Sequence, residues 1–458
     1  MKNTYANWKF IKGTLLVALA LFLVNTAFSQ TIINKDPRIE AAVNEISTDN
    51  MRENVSGLLK FHTRHNLSSQ NRVDFGIGAA ATYIERKLKE YAKSDSRFTV
   101  ERVNYKAGGA GTRLGREITL TNIVATIKGN PSDDRVIALL AHYDSRSEDN
   151  ADSTTFAPGA NDNLSGVSAL LEIARIIAGK EIGATIKLMF LSGEEHGLLG
   201  AAHMAQIAQD EKWNLIAVLN NDMISNSHSS DTDIRNNSIV RVFSENIPFT
   251  ENEAQARERV FNSAENDSPS RQLARYIKES GERYTENLTI KLIYRNDRYG
   301  RGGDHTPFNR KGFTAVRICE FYENYDRTHQ KTEIRDGKQY GDVIEGVDFE
   351  YLRKNTSANL SSLMNLAFAP YEPNNVSTNV SSLSNYTEIS WKVPAKGAKP
   401  NGYYLLIRET DSPVWQRKIF VKGTEIKIPL SKDNYFFGVQ SVSDKGNESL
   451  PVFSKGVR

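Results

Sequence analysis

Cysteine is almost missing from this chain of 458 residues; Cys319 is the only one. A single cysteine excludes an intrachain disulfide, so the fold must hold without that staple. It also excludes a lipid-modified cysteine near the N-terminus, because Cys319 lies far from it. An excess of charge of one sign is missing too. The 58 Lys and Arg residues nearly balance the 55 Asp and Glu, for a formal net charge of +3. The basic residues are dispersed, with no stripe of interleaved aromatics, which argues against nucleic acid as a partner. There is no low-complexity block. The apolar run Leu15–Val24 falls well short of the roughly 20 residues that span a bilayer, so stable membrane insertion is not expected.

What that run does resemble is an export signal. Lys2, Lys9 and Lys12 precede it, and "NTAFSQ" follows with small residues at Ala27 and Ser29. A basic start, a short apolar centre and a small-residue cleavage site predict a signal peptide over residues 1–29, cut near Ser29–Gln30. A periplasmic or extracellular location is therefore expected. A pro-segment between Gln30 and about Met51 is left open.

The length suggests two or three domains. "GIGAAATYIERKLKEYAK" places apolar residues at helical spacing, and "SGVSALLEIARIIAGK" is a second amphipathic helix. "TNIVATIKG", "RVIALLAHYDS", "ATIKLMFLS", "NLIAVLNNDM" and "FTAVRICE" read as buried strands. Strands alternating with helices predict an α/β domain over residues 30–371, with a mostly parallel, mixed central sheet flanked by helices. Past the linker "FAPYEPNN" the texture changes. "TEISWKV", "GYYLLIRE", "QRKIFV", "TEIKIPL" and "NYFFGVQSV" are short strands at regular intervals, the rhythm of an all-β sandwich over residues 372–458.

Chemistry-bearing residues recur where the strands end. His142 and Asp144 follow the first parallel strand, and Asp162 precedes a helix in "PGANDNLSG". Glu194 and Glu195 follow the next strand in "LSGEEHGLLG", Asp222 ends "NLIAVLNND", and His305 lies in "RGGDHTPF". The carboxyl ends of such strands are where α/β sheets collect ligands. Two imidazoles and three carboxylates, with one carboxylate left over, suit zinc, with cobalt or manganese as substitutes. Five donors exceed the three of an open one-zinc catalytic site and fit two metals sharing a bridging carboxylate. Adjacent strand residues project oppositely, so of Glu194 and Glu195 one is expected to ligate and the other to move protons. Asp144, two residues after His142, is placed to accept from its second ring nitrogen.

In order and spacing, "AHYDS", "GANDNLSG", "LSGEEHGLLG", "NNDM" and "RGGDHTPF" resemble the M28 family of dizinc exopeptidases, whose best-known members are secreted aminopeptidases. The resemblance covers roughly residues 45–368. It implies that His142 and Asp222 hold one zinc, Glu195 and His305 the other, and that Asp162 bridges them. Glu194 is then the general base of a metal-bridged hydroxide attack on peptide substrates, and Asp144 the orienting acid. The C-terminal region is similar to a fibronectin type III module, through Trp391, Tyr435 and "YFFGVQSVSDKGNES". Such a module could contact glycan, peptide or a cell surface, or serve as a spacer.

Other activities share this scaffold. The single-zinc glutaminyl cyclases also carry the histidine-Tyr-Asp-Ser element, and carboxypeptidases and small-molecule amidases occur on it. A non-catalytic binding protein would be expected to have lost a ligand, and none is missing. His329, in "YDRTHQKTE", stands on the same side of the sheet within reach of a substrate, outside the ligand set. Arg298 and Arg301 flank the glycine loop, where they could meet a substrate carboxylate or pair with Asp297 or Asp304. His196 reads as a loop residue, and His62, His65, His203 and His228 as surface positions.

Overall fold

The computed structural model describes residues 30–458, Ile32 excepted, so the signal peptide expected over residues 1–29 lies outside the described residues. The chain forms two compact units. Lys35–Ala369 is one, and Pro370–Arg458 is the other, joined by the N-terminal stretch up to Asn34. The expected domain bounds of 30–371 and 372–458 therefore shift, since Gln30–Asn34 goes with the sandwich. Thr31 donates its N–H to the Lys418 carbonyl at 2.9 Å, and the Lys418 N–H donates to Gln30 Oε1 at 2.8 Å.

In the larger unit, helices α1 (Pro37–Asn44), α2 (Thr48–Leu59) and α3 (Ile77–Ala92) precede the hairpin β1 (Phe98–Gly108) and β2 (Glu117–Ile127). Then come β3 (Arg135–His142), α4 (Leu164–Ile177), β4 (Thr185–Leu191), α5 (Leu199–Asp210) and β5 (Asn214–Asn221). The second half holds β6 (Ile239–Ser244), α6 (Glu253–Asn262), α7 (Pro269–Tyr284), β7 (Thr289–Ile293), α8 (His305–Arg310) and β8 (Ala315–Glu320). A small hairpin, β9 (Glu333–Arg335) and β10 (Lys338–Tyr340), and the long helix α9 (Phe349–Phe368) complete it. The eight-stranded sheet has the order β1-β2-β4-β3-β5-β8-β6-β7. Its centre, β4-β3-β5-β8, is parallel. Both flanks include antiparallel pairings, β1 with β2, β2 with β4, and β6 with β8.

All eight residues of β3 are buried, as the unbroken apolar run requires of a strand covered on both faces. On one side Leu140 and Ala138 pack with Met204, Ala205 and Ala208 of α5. Each fully buried Leu or Met side chain contributes about 1.5–3 kcal/mol. The motif "NDNLSG" fastens α4 to the end of β5. Asn163 caps the helix by accepting from the Gly166 N–H at 3.0 Å, and its Nδ2 donates to the Asn221 carbonyl at 2.8 Å. A Cβ at position 166 would sit 2.5 Å from that same carbonyl, so Gly166 admits no side chain.

The smaller unit is a β-sandwich. One sheet holds β11 (Asn374–Asn379), β12 (Thr387–Lys392), β15 (Glu425–Ile428) and β18 (Lys455–Val457). The other holds β13 (Gly402–Glu409), β14 (Arg417–Val421), β16 (Tyr435–Val442) and β17 (Val452–Phe453). Ile389 and Trp391 of the first face Leu405, Ile407, Phe437 and Val439 of the second in one buried core. Among the described residues no helix is long and apolar enough to cross a membrane.

Candidate metal centre

The parallel strands β3, β4 and β5 deliver their carboxyl ends to one place. His142 closes β3, and its Nδ1 lies 3.1 Å from the backbone carbonyl of Asp144. A carbonyl only accepts, so Nδ1 carries the hydrogen and Nε2 is left to act as a donor atom toward a cation. That Nε2 stands 3.2 Å from Asp162 Oδ1 and 3.8 Å from Asp222 Oδ1. The other oxygen of Asp162, Oδ2, is 3.0 Å from His329 Nε2, which is 2.9 Å from Glu195 Oε1. Besides the group of His142 with Glu194 and Glu195, these contacts make two more, His142 with Asp162 and Asp222, and Asp162 with Glu195 and His329. Within each, the ligand atoms lie within 4.8 Å of one another. Asp162 belongs to both.

His305 does not join them, contrary to the sequence expectation. It opens the short helix α8 and is fully buried. Its Nε2 faces the Asn296 carbonyl at 2.9 Å, and its Nδ1 has no hydrogen-bond partner among the described residues. Its place is taken by His329, which lies beyond the end of β8, the fourth parallel strand. The Glu194–Glu195 pair also differs from expectation. It lies in a turn past the end of β4, so strand alternation does not govern it, and both carboxylates come within 4.8 Å of a His142 ring nitrogen. Asp144 does more than face an imidazole. Its Oδ1 is 3.5 Å from His142 Nδ1, while its carboxylate accepts the N–H groups of Glu194 at 3.3 Å and Glu195 at 3.1 Å.

The electrostatics fit a cation site. Asp144, Asp162, Glu195 and Asp222 are buried together, an arrangement that is costly unless positive charge answers it. Burial opposes protonation of His142, but Glu194 and the bonds to Asp144, Asp162 and Asp222 prevail and raise its pKa well above the ordinary value. His329 is likewise drawn up, to about 10, by Glu195 and Asp162 against the effect of burial. Burial, with Asp222, Glu195 and Asp304 nearby, pushes the Glu194 carboxyl well above its usual range against the pull of His142. Imidazole and carboxylate are donors that suit zinc.

Residues 122–343 match the model of peptidase family M28. A probable zinc metalloprotease of Pyrenophora tritici-repentis is 39% identical over 425 residues, 91% of this chain and 97% of its own length. Another from Pyricularia oryzae is 38% identical over 421 residues, covering 90% and 84%. This chain belongs to peptidase family M28. As the family and these relatives indicate, it is a zinc-dependent hydrolase of peptides. The LapA aminopeptidase of Legionella pneumophila has the same fold, with a TM-score of 0.53 at 19% identity over 75% of this chain and 76% of that one.

Several residues of this M28 peptidase that carry no sequence signature hold the site in place. Arg64, 1% exposed, donates to the carbonyls of Tyr143, Pro158 and Gly159 at 2.7, 2.6 and 3.1 Å. It thereby stitches the loops carrying Asp144 and Asp162. Asn66 Nδ2 donates to Asp144 Oδ2 at 2.7 Å. Asp342 accepts the N–H groups of Asn161 and Asp162, the latter at 2.7 Å; burial pushes its carboxyl up to about 6. Arg317 Nη2 braces Asp222 Oδ2 at 3.1 Å. His65 and His196, expected at the surface and in a loop, are buried edge to face. The Nε2 of each lies within 3.0 Å of the Asn150 carbonyl.

Proposed function

We propose that this M28 peptidase is an exported two-zinc exopeptidase that releases residues from peptide N-termini. His142 and Asp222 would hold one zinc, Glu195 and His329 the other, and Asp162 both. The observation that carries this reading is the membership of Asp162 in two adjoining ligand groups. When bound, the pair supplies Lewis acidity for a water and for the scissile carbonyl. Glu194, partly open to the cavity, takes the proton of the attacking water and passes it to the leaving amine. Asp144 fixes the backbone of the glutamate pair relative to the His142 ring, so the base stays in register with the ligands. LapA, whose fold is shared, is an aminopeptidase, which favours the N-terminal direction. The spacing of Trp391 and Tyr435 supports a fibronectin type III-like assignment for the sandwich. A cut between Ser29 and Gln30 would leave a new N-terminus whose first residues bond to β14.

The test incubates purified protein with aminoacyl-anilides and their N-blocked counterparts, with and without chelator, and counts metal per chain. Two zinc equivalents and cleavage of the free-amine substrates alone are expected. One equivalent, with ring closure of glutaminyl peptides, would transfer the chain to the cyclases. Cleavage of blocked substrates alone would end the aminopeptidase reading.

A further inference from the structure

A cavity of about 420 Å³ opens over the ligand clusters, and its lining is unusual for a peptide site. Leu198 and Met223 are the only large apolar side chains in it. Five arginines line it as well, Arg113, Arg146, Arg298, Arg301 and Arg317. Small-molecule pockets are ordinarily apolar with a few placed polar groups. Here the walls are cationic.

Most of these arginines are already engaged. Arg317 bridges Asp222 at 3.1 Å and Asp297 at 2.9 Å. Arg298 pairs with Glu323 at 2.6 Å. Arg146 Nε meets Glu195 Oε2 at 2.9 Å. Two are not. Arg113, in the β1–β2 connection, makes a single long bond of 3.4 Å to the Glu195 carbonyl. Arg301, in the glycine loop before α8, makes no side-chain hydrogen bond or ion pair with any described residue. Both are exposed, and they reach one cavity from separate segments of chain. The lining acids Asp162, Glu194, Glu195 and Asp222 offer no counter-charge for them. All four belong to the cluster, and two divalent cations would balance their four charges. A planar guanidinium with free N–H groups is the natural partner of a carboxylate.

We propose that the cavity selects substrates carrying a carboxylate within one residue of the scissile bond, gripped by Arg113 and Arg301. The proposal rests on the peptidase reading above. An acidic side chain and the free C-terminus of a short peptide offer the same chemistry, and substrate pairs separate them. The zinc-loaded enzyme is assayed on Glu-Ala-amide against Gln-Ala-amide, Ala-Glu-amide against Ala-Gln-amide, and Ala-Gln against Ala-Gln-amide.

In at least one pair the acid should be preferred by about 10- to 100-fold in kcat/KM, the range of a charge-assisted hydrogen bond. That pair identifies the source of the carboxylate. Arg113→Gln and Arg301→Gln should each cut the acid-to-amide ratio by about 10-fold. Because both residues are exposed, the variants should melt like the parent. Ratios near one in all three pairs, or a preference that survives both substitutions, would overturn the proposal. If nothing is hydrolysed, the aminopeptidase reading fails by itself. Calorimetric binding of the same pairs to zinc-loaded Glu194→Gln protein then decides, through the ratio of Kd values and its response to the arginine variants.

Discussion

Exchanging His329 and His305 for alanine, one at a time, tests which of the two imidazoles serves the cation. His329 Nε2 is within 3.0 Å of both Asp162 Oδ2 and Glu195 Oε1, so His329→Ala leaves that group with two carboxylates. Losing a residue that merely supports a ligand costs 10- to 100-fold in metal affinity. Losing a donor should cost at least ~100-fold, or about 2.8 kcal/mol at 1.4 kcal/mol per decade. One of the two proposed zinc equivalents should therefore be lost at limiting metal, with kcat falling in step. His305→Ala removes a fully buried ring and its contact with Asn296 at 2.9 Å. A cavity of that kind costs roughly 2–4 kcal/mol of stability and should spare metal affinity. The assay is competition for zinc against a chelating fluorophore, paired with thermal melting of each variant. If His305→Ala sheds zinc while His329→Ala keeps both equivalents, the assignment of ligands from the geometry is wrong.

Other predictions concern the base, the metal and a remote carboxyl. Glu194→Gln should retain the parent's metal content while kcat drops by about 10²- to 10⁴-fold, the span of general acid–base catalysis; unchanged turnover would remove Glu194 from the mechanism. Chelation should lower Tm, and added zinc should restore it, since a ligand present at 1,000 times its Kd stabilises by about 4 kcal/mol. A Tm indifferent to chelator would mean that folding and metal are not linked. Glu245 is pushed up from 4.5 to about 7 by burial, only partly offset by hydrogen bonds from Ser270 and Asn309. The folded chain then holds more protons than the unfolded chain between those values. Stability should therefore decline as pH rises from 4.5 to about 7. Glu245→Gln should flatten that part of the urea-midpoint profile, and a profile of unchanged slope would show that the carboxyl ionises normally.

The parallel centre of the sheet was legible because burial on both faces leaves a largely apolar run, unbroken through the middle of β3 and β5 and interrupted only by Lys187 in β4 and Arg317 in β8. The outer strands were harder. β1 is a mostly exposed, charged segment in which only Phe98 and Tyr105 are buried, and β7 keeps only Ile290 well buried; neither stands out from a helix or loop by composition. The same edge rule that located His142, Glu195 and Asp222 also points past the end of β8, and there it leads to His329. His305 drew attention through its glycine-rich setting, yet it begins a helix and faces away. Burial of His65 and His196 could not be read at all, because it depends on Asn150 in a loop distant in sequence. Arg64, Asn66 and Asp342 act through bonds to backbone or to other side chains across 78 to 180 positions, and no local pattern encodes such a partner.

Two neighbouring carboxylates past the end of β4 raise the question of what holds them apart in function when they share a turn. The difference arises from what surrounds each. Glu195 is buried against Arg146 and His329, so its oxygens are held in place for a cation. Glu194 is partly open to the cavity and pairs with no arginine among the described residues. It keeps both exposure to solvent and the freedom to exchange a proton. What links the two is Asp144, whose carboxylate receives both their peptide N–H groups while its backbone carbonyl holds the His142 ring. A displacement of β3 relative to β4 would therefore move ligand and base together, and the distance between them is set by one residue. Asn66 secures Asp144 in turn. The relative placement of these side chains thus depends on Asp144 and Asn66, whose bonds no local pattern in the sequence encodes, and at the one position where the sequence expectation offered His305 the structure brings His329 to the cluster instead.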